Sequence, residues 1–473
     1  MPNLLVRNFR IEFILFLGII LFVIYRSFDL SMPYFWDEEG VFAPAALYMH
    51  DHGVSLLPNS LPPELSRGHP LLFFFLHGLN FKIFGTSLIS AHSFALFISI
   101  CLVIAVYITA SKLFNKLIGV TSALILMSQE AFAVQSTMLL PEMLLCLFLV
   151  LSLYFLYQSR YLAFGIFSSL AVMTKETALI ILFGYAIIFF IFYLNEKKSR
   201  SDFLKLILAC LTPAVVFGIF LLIQKNQNGW YFFPYHIDLI TFEQHDVKTK
   251  IKDSFVFLLI EQSRFLWLGI ISVHLILYFV CKNVLKSLHA KRKILLLLAP
   301  VFLYQIFTVI NPFMERYLMF VFVVLSILLS YSLWSVFEKR KTLYLMMVIV
   351  FLVFPFLNSD ENQFRYDIDM SYKHIVSVQR SATEKLEELE VTSGHVYSQF
   401  PLVCGLSDKR LGYLNEYDSV AFGDLDQSVS YIAIMHPGAY GYPMPDESEM
   451  RLIEKFKSGF AESFIYKYIP ENQ

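Results

Sequence analysis

Long apolar segments recur through the first three quarters of this chain, and they constrain its fold more than any other feature. The 473 residues are 57% hydrophobic and only 16% charged, whereas soluble domains are about a quarter charged. A helix needs about 20 apolar residues to cross a bilayer. We therefore predict an α-helical polytopic membrane protein with about eleven transmembrane helices. The candidate spans lie at 11–28, 91–111, 118–136, 139–158, 161–174, 176–194, 203–223, 256–281, 294–310, 317–336 and 342–357.

The loops between these spans predict an orientation. If the N-terminus is cytoplasmic, the inside loops are basic nearly throughout, as the positive-inside rule expects, and the outside loops hold acids and aromatics. This assignment requires that the apolar stretch 70–84 does not cross, and we expect an interfacial or re-entrant helix there because the stretch is short and polar in places. The tail from Asn358 then lies outside. The inside loops carry Lys112, Lys116, Arg160, Lys197, Lys198, Arg200, Lys205, Lys282, Lys286, Lys291, Arg292, Lys293, Lys339, Arg340 and Lys341.

The composition changes abruptly at Asn358 to that of a soluble domain. We therefore divide the chain into a transmembrane domain, 1–357, with an outer loop at 29–90, and a small extracytoplasmic α/β domain, 358–473. Apolar residues at spacings of three and four predict an amphipathic helix at 372–390. Further along we predict strands at His395–Phe400, Ser419–Phe422 and Tyr431–Ile434, a helix near 447–458 and a strand near 462–469.

Charge and cysteine content exclude several function classes. The net charge is −1, which gives no electrostatic basis for a nucleic-acid partner. The five cysteines show no CxxC spacing, so the sequence indicates neither a zinc site nor a disulfide framework.

Polar clusters recur at the predicted outer ends of different spans. The sharpest is Trp36-Asp37-Glu38-Glu39, directly after the first span. A solvated loop in which Asp37 caps a short helix would explain this cluster taken alone, and helix-end positions or snorkelling to lipid headgroups would explain the others. Five clusters on one face of the membrane indicate an enclosed polar site instead. The other four are Arg67-Gly68-His69-Pro70, Glu142, Thr174-Lys175-Glu176 and Glu315-Arg316-Tyr317.

In this order and spacing, the clusters resemble those of integral-membrane glycosyltransferases of the GT-C fold. The resemblance is to the group that uses lipid-phosphate sugars, which includes aminoarabinose transferases and protein O-mannosyltransferases, and it covers 11–330. Many relatives have a second proline where this chain has Leu71, and an aspartate where it has Glu142. The motifs on which the resemblance rests are Asp37-Glu38, His69-Pro70, Lys82-Ile83-Phe84-Gly85, Lys112-Leu113-Phe114, Pro141-Glu142-Met143-Leu144-Leu145, Thr174-Lys175-Glu176-Thr177-Ala178-Leu179 and Glu315-Arg316-Tyr317-Leu318.

The resemblance implies transfer of a hexosyl or pentosyl group from a polyprenyl-phosphate donor to an acceptor on the extracytoplasmic face. Such a reaction needs a base, for which Asp37 is the candidate, with Glu38 orienting it or binding the acceptor. It also needs cations for the phosphate, and the planar fork of Arg316 suits that role best. Lys175, Arg67 and His69 are the further phosphate-binding candidates, and Glu142, Glu176 and Tyr317 are assigned to acceptor binding or support.

Several alternatives stay open at this stage. A pair of acids is compatible with a divalent metal, but relatives with lipid-monophosphate donors need none, so we predict no cofactor. A transporter or flippase of a lipid-linked sugar would be favoured by ionisable residues in mid-span, where His274 is the clearest case. A scaffold that presents the tail to a partner is the third reading. The sugar and the acceptor (protein, lipid or polysaccharide) are not specified, and resemblance to bacterial relatives favours undecaprenyl phosphate and the inner membrane.

Overall fold

The structure is a computed structural model, and it is built mainly from α-helices. It describes residues 2–195, 200–238, 240, 244–261, 264–281, 288–311, 314–357, 364–391, 394–420, 429–438 and 447–469. Before the tail, the helices are α1 Pro2–Ser27, α2 Ala43–His52, α3 Pro63–Ser66, α4 Leu72–Phe84, α5 Leu88–Leu113, α6 Lys116–Met127, α7 Glu130–Gln135, α8 Glu142–Tyr157, α9 Tyr161–Thr174, α10 Ala178–Asn195, α11 Arg200–Asn228, α12 Pro234–Asp238, α13 Gln244–Leu259, α14 Phe265–Cys281, α15 Leu288–Ile310, α16 Met319–Phe337 and α17 Lys341–Leu357.

Local sequence signals explain where several of these helices begin. The Ser87 hydroxyl accepts a hydrogen bond from the Ser90 amide at the start of α5. Asn115 Oδ1 accepts from the Ile118 amide at 3.0 Å at the start of α6. Each cap satisfies a backbone donor that has no partner within the helix, so these two helices begin directly after short turns.

Apolar length identifies the membrane-crossing part of the chain. Within the described residues, four helices are long and apolar enough to cross a bilayer, at Leu88–Leu113, Arg200–Asn228, Arg292–Ile310 and Glu315–Phe337. Seven shorter apolar helices accompany them. The protein is therefore an integral membrane protein. The shorter helices include Leu72–Phe84, Lys116–Met127, Glu142–Tyr157, Tyr161–Thr174, Ala178–Phe192, Phe265–His274 and Lys341–Pro355.

Two predicted spans are divided in the structure. The stretch 256–281 is not one helix, because α13 ends at Leu259 and α14 begins at Phe265. The stretch 118–136 is not one helix, because α6 ends at Met127 and the short α7 begins at Glu130. Gln129 between them has an extended backbone, and the three polar residues at 128–130 are all buried. Two of these side chains have partners beyond α6: Ser128 donates to the Phe351 carbonyl at 3.4 Å, and Glu130 accepts from the Met370 amide.

The tail forms a helix packed on a small mixed sheet. Helix α18, Tyr372–Glu388, occupies the predicted position, and α19, Leu402–Gly405, is a single turn. The strands are β1 Val396–Ser398, β2 Tyr431–His436, β3 Met450–Ser458 and β4 Ala461–Tyr468, in the sheet order β1-β2-β4-β3. The β1–β2 pair is parallel and the other two pairs are antiparallel.

The helix predicted near 447–458 is wrong, because that segment is strand β3. It forms a hairpin with β4 through the turn at Gly459. Strand β3 lies at the sheet edge with most side chains exposed. It has no buried face that would favour a helix, and its backbone hydrogen bonds to β4 determine its conformation. The strand predicted at Ser419–Phe422 is not seen at Ser419 and Val420, and its other two residues lie outside the described ranges.

The tail packs directly on the loop that follows α1. One buried apolar cluster contains Phe35 and Leu140 from the membrane part together with Ile375 and Val378 from α18. The Tyr413 hydroxyl donates to the Tyr34 carbonyl at 2.8 Å. The division at 357/358 marks a change of composition, and the packed core extends across it.

Candidate active site

Of the three acids in the Trp36-Asp37-Glu38-Glu39 motif, only Asp37 lines a cavity. Trp36, directly before it, has a left-handed backbone with φ of 52°, which is strained for a large side chain. Its indole packs edge to face on Phe400 and Tyr366. These aromatic contacts hold a backbone turn from which the Asp37 carboxylate, one-fifth exposed, reaches the cavity.

Glu38 and Glu39 point away from the cavity and hold the loop in place. Glu38 accepts hydrogen bonds from the Leu139 amide at 2.5 Å and the Phe35 amide at 3.2 Å. Glu39 accepts from Gln379 of α18 at 2.7 Å. Burial raises the pKa of Glu39 well above its usual value, so this carboxyl keeps its proton to a higher pH than an exposed glutamate does. The motif therefore supplies one acid to the cavity and two internal anchors.

Arg316 is the centre of a buried ion cluster. Its guanidinium donates to carboxylate oxygens of Asp37 and Asp367 through two different nitrogens. Its Nε lies 3.7 Å from Glu142 Oε1, and its side chain is 2% exposed. One cation thus faces three acids, from the loop after α1, the start of α8 and the segment after α17.

The charges around Asp37 set its protonation. Burial alone raises the pKa of Asp37, but the Arg316 guanidinium, with smaller contributions from Arg67 and Lys175, brings the pKa below its ordinary value. Asp37 is therefore ionised at neutral pH and can accept a proton.

Lys175 joins this cluster from the end of α9. Its Nζ lies 3.0 Å from Glu142 Oε1 and 3.8 Å from the centre of the Tyr317 ring. Burial lowers the pKa of Lys175, but Glu142, Tyr317 and Tyr304 together raise it above its ordinary value, so the ammonium stays charged. A carboxylate and an aromatic face together fix the position of this cation.

Two histidines meet on the other side of the cavity. His69 Nδ1 lies 3.1 Å from Glu176 Oε2, and the His69 ring centroid is 4.9 Å from that of His236. Partial burial lowers the pKa of His236 to about 4, so His236 is neutral near pH 7. Trp230 and Phe233 from the same loop lie over Gly68, where an added Cβ would come within 2.9 Å of the indole and 3.0 Å of Phe233. The loop 229–238 thus covers Arg67-Gly68-His69.

The cavity has two adjoining lobes of about 530 and 1030 Å³. Both lobes are lined by Asp37 and by four basic residues; Tyr317 also lines both, and the larger lobe adds aromatic and amide groups. The Asp37 carboxylate and the surrounding basic side chains, with Glu176 in the larger lobe, form a site that can bind an anion and accept a proton. The residues common to both lobes are Asp37, Arg67, His69, Lys175, His236 and Tyr317.

The structure brings together most of the residues singled out from the sequence. Arg316 lines the smaller lobe and Glu176 the larger one. Glu142 lies behind Lys175, and Glu38 is bonded to backbone amides, so neither carboxylate lines the cavity. Arg316 is engaged by acids and Lys175 is paired with Glu142, while Arg67 and His69 line both lobes beside Lys175. The roles of these residues remain predictions.

Sequence reasoning missed two residues of this site. His236 lies in the aromatic-rich loop between α11 and α13, whose composition suited an interfacial position. Asp367 stands at the start of the tail in no recognisable motif, and its contact with Arg316 depends on tertiary packing. In the part of the chain that the structure describes, no group of three or more His, Cys, Asp and Glu residues is arranged to hold a metal ion.

Comparison with known proteins agrees with this architecture. The profile of the dolichyl-phosphate-mannose-protein mannosyltransferase family matches residues 68–223. The crystal structure of ArnT from Cupriavidus metallidurans bound to undecaprenyl phosphate matches with a TM-score of 0.62 at 12% identity, over 96% of this chain and 98% of that chain. ArnT from the same organism in the apo state gives 0.60 at 13% identity, over 95% and 97%. A search of curated protein sequences finds no match.

A third structure, the Archaeoglobus fulgidus oligosaccharyltransferase in the apo form, gives a TM-score of 0.47 at 8% identity, over 89% of this chain and 69% of that chain. The likeness to the two ArnT structures covers nearly the whole length of both chains. The chain therefore has the GT-C fold, as the sequence resemblance predicted.

Proposed function

We propose that this GT-C chain transfers a sugar from a polyprenyl-phosphate donor to a hydroxyl of an acceptor at the extracytoplasmic membrane face. The observation that carries the proposal is the shared cavity. Asp37, a partly buried and ionised carboxylate, lines the same space as Arg67, His69 and Lys175. Sugar transfer from a lipid phosphate needs this combination, because one group must take up a proton while others stabilise a phosphate.

The reaction would use these groups in the following way. The acceptor oxygen attacks the anomeric carbon of the donor, and the bond from that carbon to the phosphate oxygen breaks. Asp37 takes the hydroxyl proton, and general-base assistance of this kind is worth about 10²–10⁴-fold in rate. Arg67, Lys175 and the His69 ring stabilise the charge on the departing polyprenyl phosphate.

An apolar groove beside the cavity suits the lipid tail of the donor. It has a volume of about 1290 Å³ and lies between α13 and α15, where Phe255, Leu258 and Phe302 line it. Helix α15 contributes Tyr304 and Thr308 to the cavity itself, so one helix borders both spaces. A bound prenyl chain in the groove would bury apolar surface while its phosphate reached the cations. Undecaprenyl phosphate is the proposed carrier, because the similar ArnT structure contains it.

The charge of the loops supports the proposed face. Lys112 and Lys116, Arg160, and the run at 339–341 join the ends of the helices opposite to the cavity. Because short basic loops remain in the cytoplasm, this charge pattern supports a cavity and a tail on the extracytoplasmic side.

The test is transfer of labelled sugar from a polyprenyl-phosphate donor pool in reconstituted membranes. Asp37→Asn should abolish product while leaving expression and donor binding intact. Glu39→Gln is the matched control, since it makes the same acid-to-amide change two residues away at a carboxyl that does not face the cavity. Equal product from wild type and Asp37→Asn would remove Asp37 as the base. Donor binding and translocation without product would favour a flippase instead.

A further inference from the structure

Asp367 reaches the centre of the site from outside the membrane part. It follows α17 and precedes α18, and its side chain is 4% exposed. Its carboxylate accepts a hydrogen bond from one terminal nitrogen of Arg316, while Asp37 accepts from the other. The two acids therefore share one guanidinium.

The backbone around Asp367 is built to hold this position. Tyr366, directly before it, has φ of 53°, a left-handed conformation that is strained for a residue with a large side chain. Trp36 before Asp37 has the same feature, with φ of 52°, and the Trp36 and Tyr366 rings meet edge to face at 5.3 Å. The Asp367 carbonyl also accepts from Gln135 Nε2 at 2.7 Å. Both carboxylates are thus aimed at Arg316 by the same local geometry.

We propose that Asp367 is a positioning residue for the transfer reaction, which divides the charge of Arg316 between two carboxylates and so keeps Asp37 effective as a base. This inference rests on the proposed function. With Asp367 in place, Arg316 donates to Asp37 through one nitrogen only. Without the Asp367 carboxylate, the positive charge of the guanidinium would stabilise the ionised form of Asp37 more strongly. The pKa of Asp37 would then be lower, and Asp37 would accept a proton less readily. A weaker base lowers the rate of the chemical step without changing the groups assigned to the phosphate.

Several charges contribute to this balance. Asp37 is influenced by Arg316, Arg67 and Lys175. On the side of Asp367, burial raises the pKa to about 6 against the opposing effect of Arg316. Glu142 faces Arg316 from α8. The neighbouring pair Arg365 and Asp369 lies on the same segment as Asp367, with Arg365 turned to Glu261 at 2.8 Å.

The experiment compares Asp367→Asn with Asp369→Asn in the full-length reconstituted protein. Asp369 is a matched control because it is equally buried on the same segment, yet it bonds the Ser371 amide and not Arg316. We expect Asp367→Asn to lower kcat about tenfold, a part of the roughly 10²–10⁴-fold that a general base supplies. The KM for the donor should not rise, and the acid limb of the kcat/KM profile should move to lower pH. Asp367→Glu, which restores the charge, should recover part of kcat.

A second measurement reads Asp37 without using activity. Infrared difference titration, assigned with Asp37→Asn, follows the carboxyl band of Asp37, and its titration should move to lower pH in Asp367→Asn but not in Asp369→Asn. If Asp367→Asn does not fold, the reciprocal test applies: in Asp37→Asn, the Asp367 titration should fall below about 6. If the wild type transfers sugar and the kcat/KM pH profiles of Asp367→Asn and Asp369→Asn are identical, the positioning role is overturned while the proposed function stands. No transfer by wild type, with the infrared shift present, would overturn the proposed function and leave the coupling established.

Discussion

Glu142 Oε1 lies 3.0 Å from Lys175 Nζ, and the two side chains are only 3% and 10% exposed. A buried ion pair is costly to break from one side, because the remaining charge is left without compensation. The other Glu142 oxygen, Oε2, is buried without a hydrogen-bond partner, which makes this acid dependent on its cations.

Glu142→Gln should destabilise the protein by about 3–5 kcal/mol, and the double variant with Lys175→Met should recover part of that loss. Thermal unfolding in detergent measures both. Glu12→Gln provides the comparison, since the Glu12–Lys116 pair is more than two-fifths exposed on both sides and surface pairs contribute about 0–1 kcal/mol. Equal melting temperatures for Glu142→Gln and Glu12→Gln would contradict the importance of the buried pair.

Gly68→Ala should displace the loop that carries His236. Gly68 has φ of +72°, and an added Cβ would lie 2.9 Å from Trp230 and 3.0 Å from Phe233. Gly85→Ala is the control, because Gly85 has φ of +84° with nothing within 4 Å of the added atom. Both variants should lose about 1–2 kcal/mol through the left-handed backbone. Only Gly68→Ala should also raise the donor KM, and a similar KM in the two variants would show that the loop does not contribute to donor binding.

Arg67→Gln should weaken binding of undecaprenyl phosphate about tenfold or more. A hydrogen bond to a charged group contributes about 1.5–3 kcal/mol, and Arg67 lines both lobes of the cavity. Arg410→Gln removes the same charge at a residue that pairs with Asp51 and Asp408 outside the cavity. Titration of the lipid phosphate into detergent-solubilised protein distinguishes the two. Unchanged affinity in Arg67→Gln would exclude Arg67 from the phosphate site.

Glu39→Gln should reduce the loss of stability at rising pH. The folded protein retains the Glu39 proton well above the ordinary carboxyl value of 4.5, whereas the unfolded chain releases it there. The stabilisation that depends on this proton is fully present below pH 4.5. It is lost as the pH rises through the pKa that Glu39 has in the folded protein. An amide cannot ionise, and it keeps a partner for Gln379. Melting temperatures between about pH 5 and 8 should therefore fall less in the variant; parallel curves would contradict a protonated Glu39.

Apolar runs and ordered motifs were sufficient to predict the GT-C fold, and they pointed to several residues that line the cavity but not to His236. Asp37, Arg67, His69 and Lys175 each lie beside a helix end that hydropathy could locate. The orientation of individual side chains was not accessible in the same way. Asp37 and Glu38 are adjacent acids directly after the left-handed turn at Trp36, yet Asp37 lines the cavity and Glu38 accepts a hydrogen bond from the Leu139 amide.

The tail shows the same limit. Helix α18 has a buried apolar stripe and was predicted within two residues of its observed C-terminal end at Glu388. Strand β3 has few buried side chains, so its sequence lacks the alternation of apolar and polar residues that would predict a strand. Pairing with β4 determined its structure. Asp367 joins Arg316 across a distance in sequence that local patterns do not encode.

The late position of Asp367 has a consequence for how the protein is made. The ribosome has synthesised every apolar helix through α17 before this residue emerges. Until then, the inserted helices already carry Asp37, Arg316 and all the cations of the cavity, but Arg316 lacks one of its three acids. The cluster is completed only when the tail docks on the loop after α1. The nascent chain would thus acquire its full electrostatic balance only after α17 has been made, and a product released before Asp367 would contain the cavity without that balance.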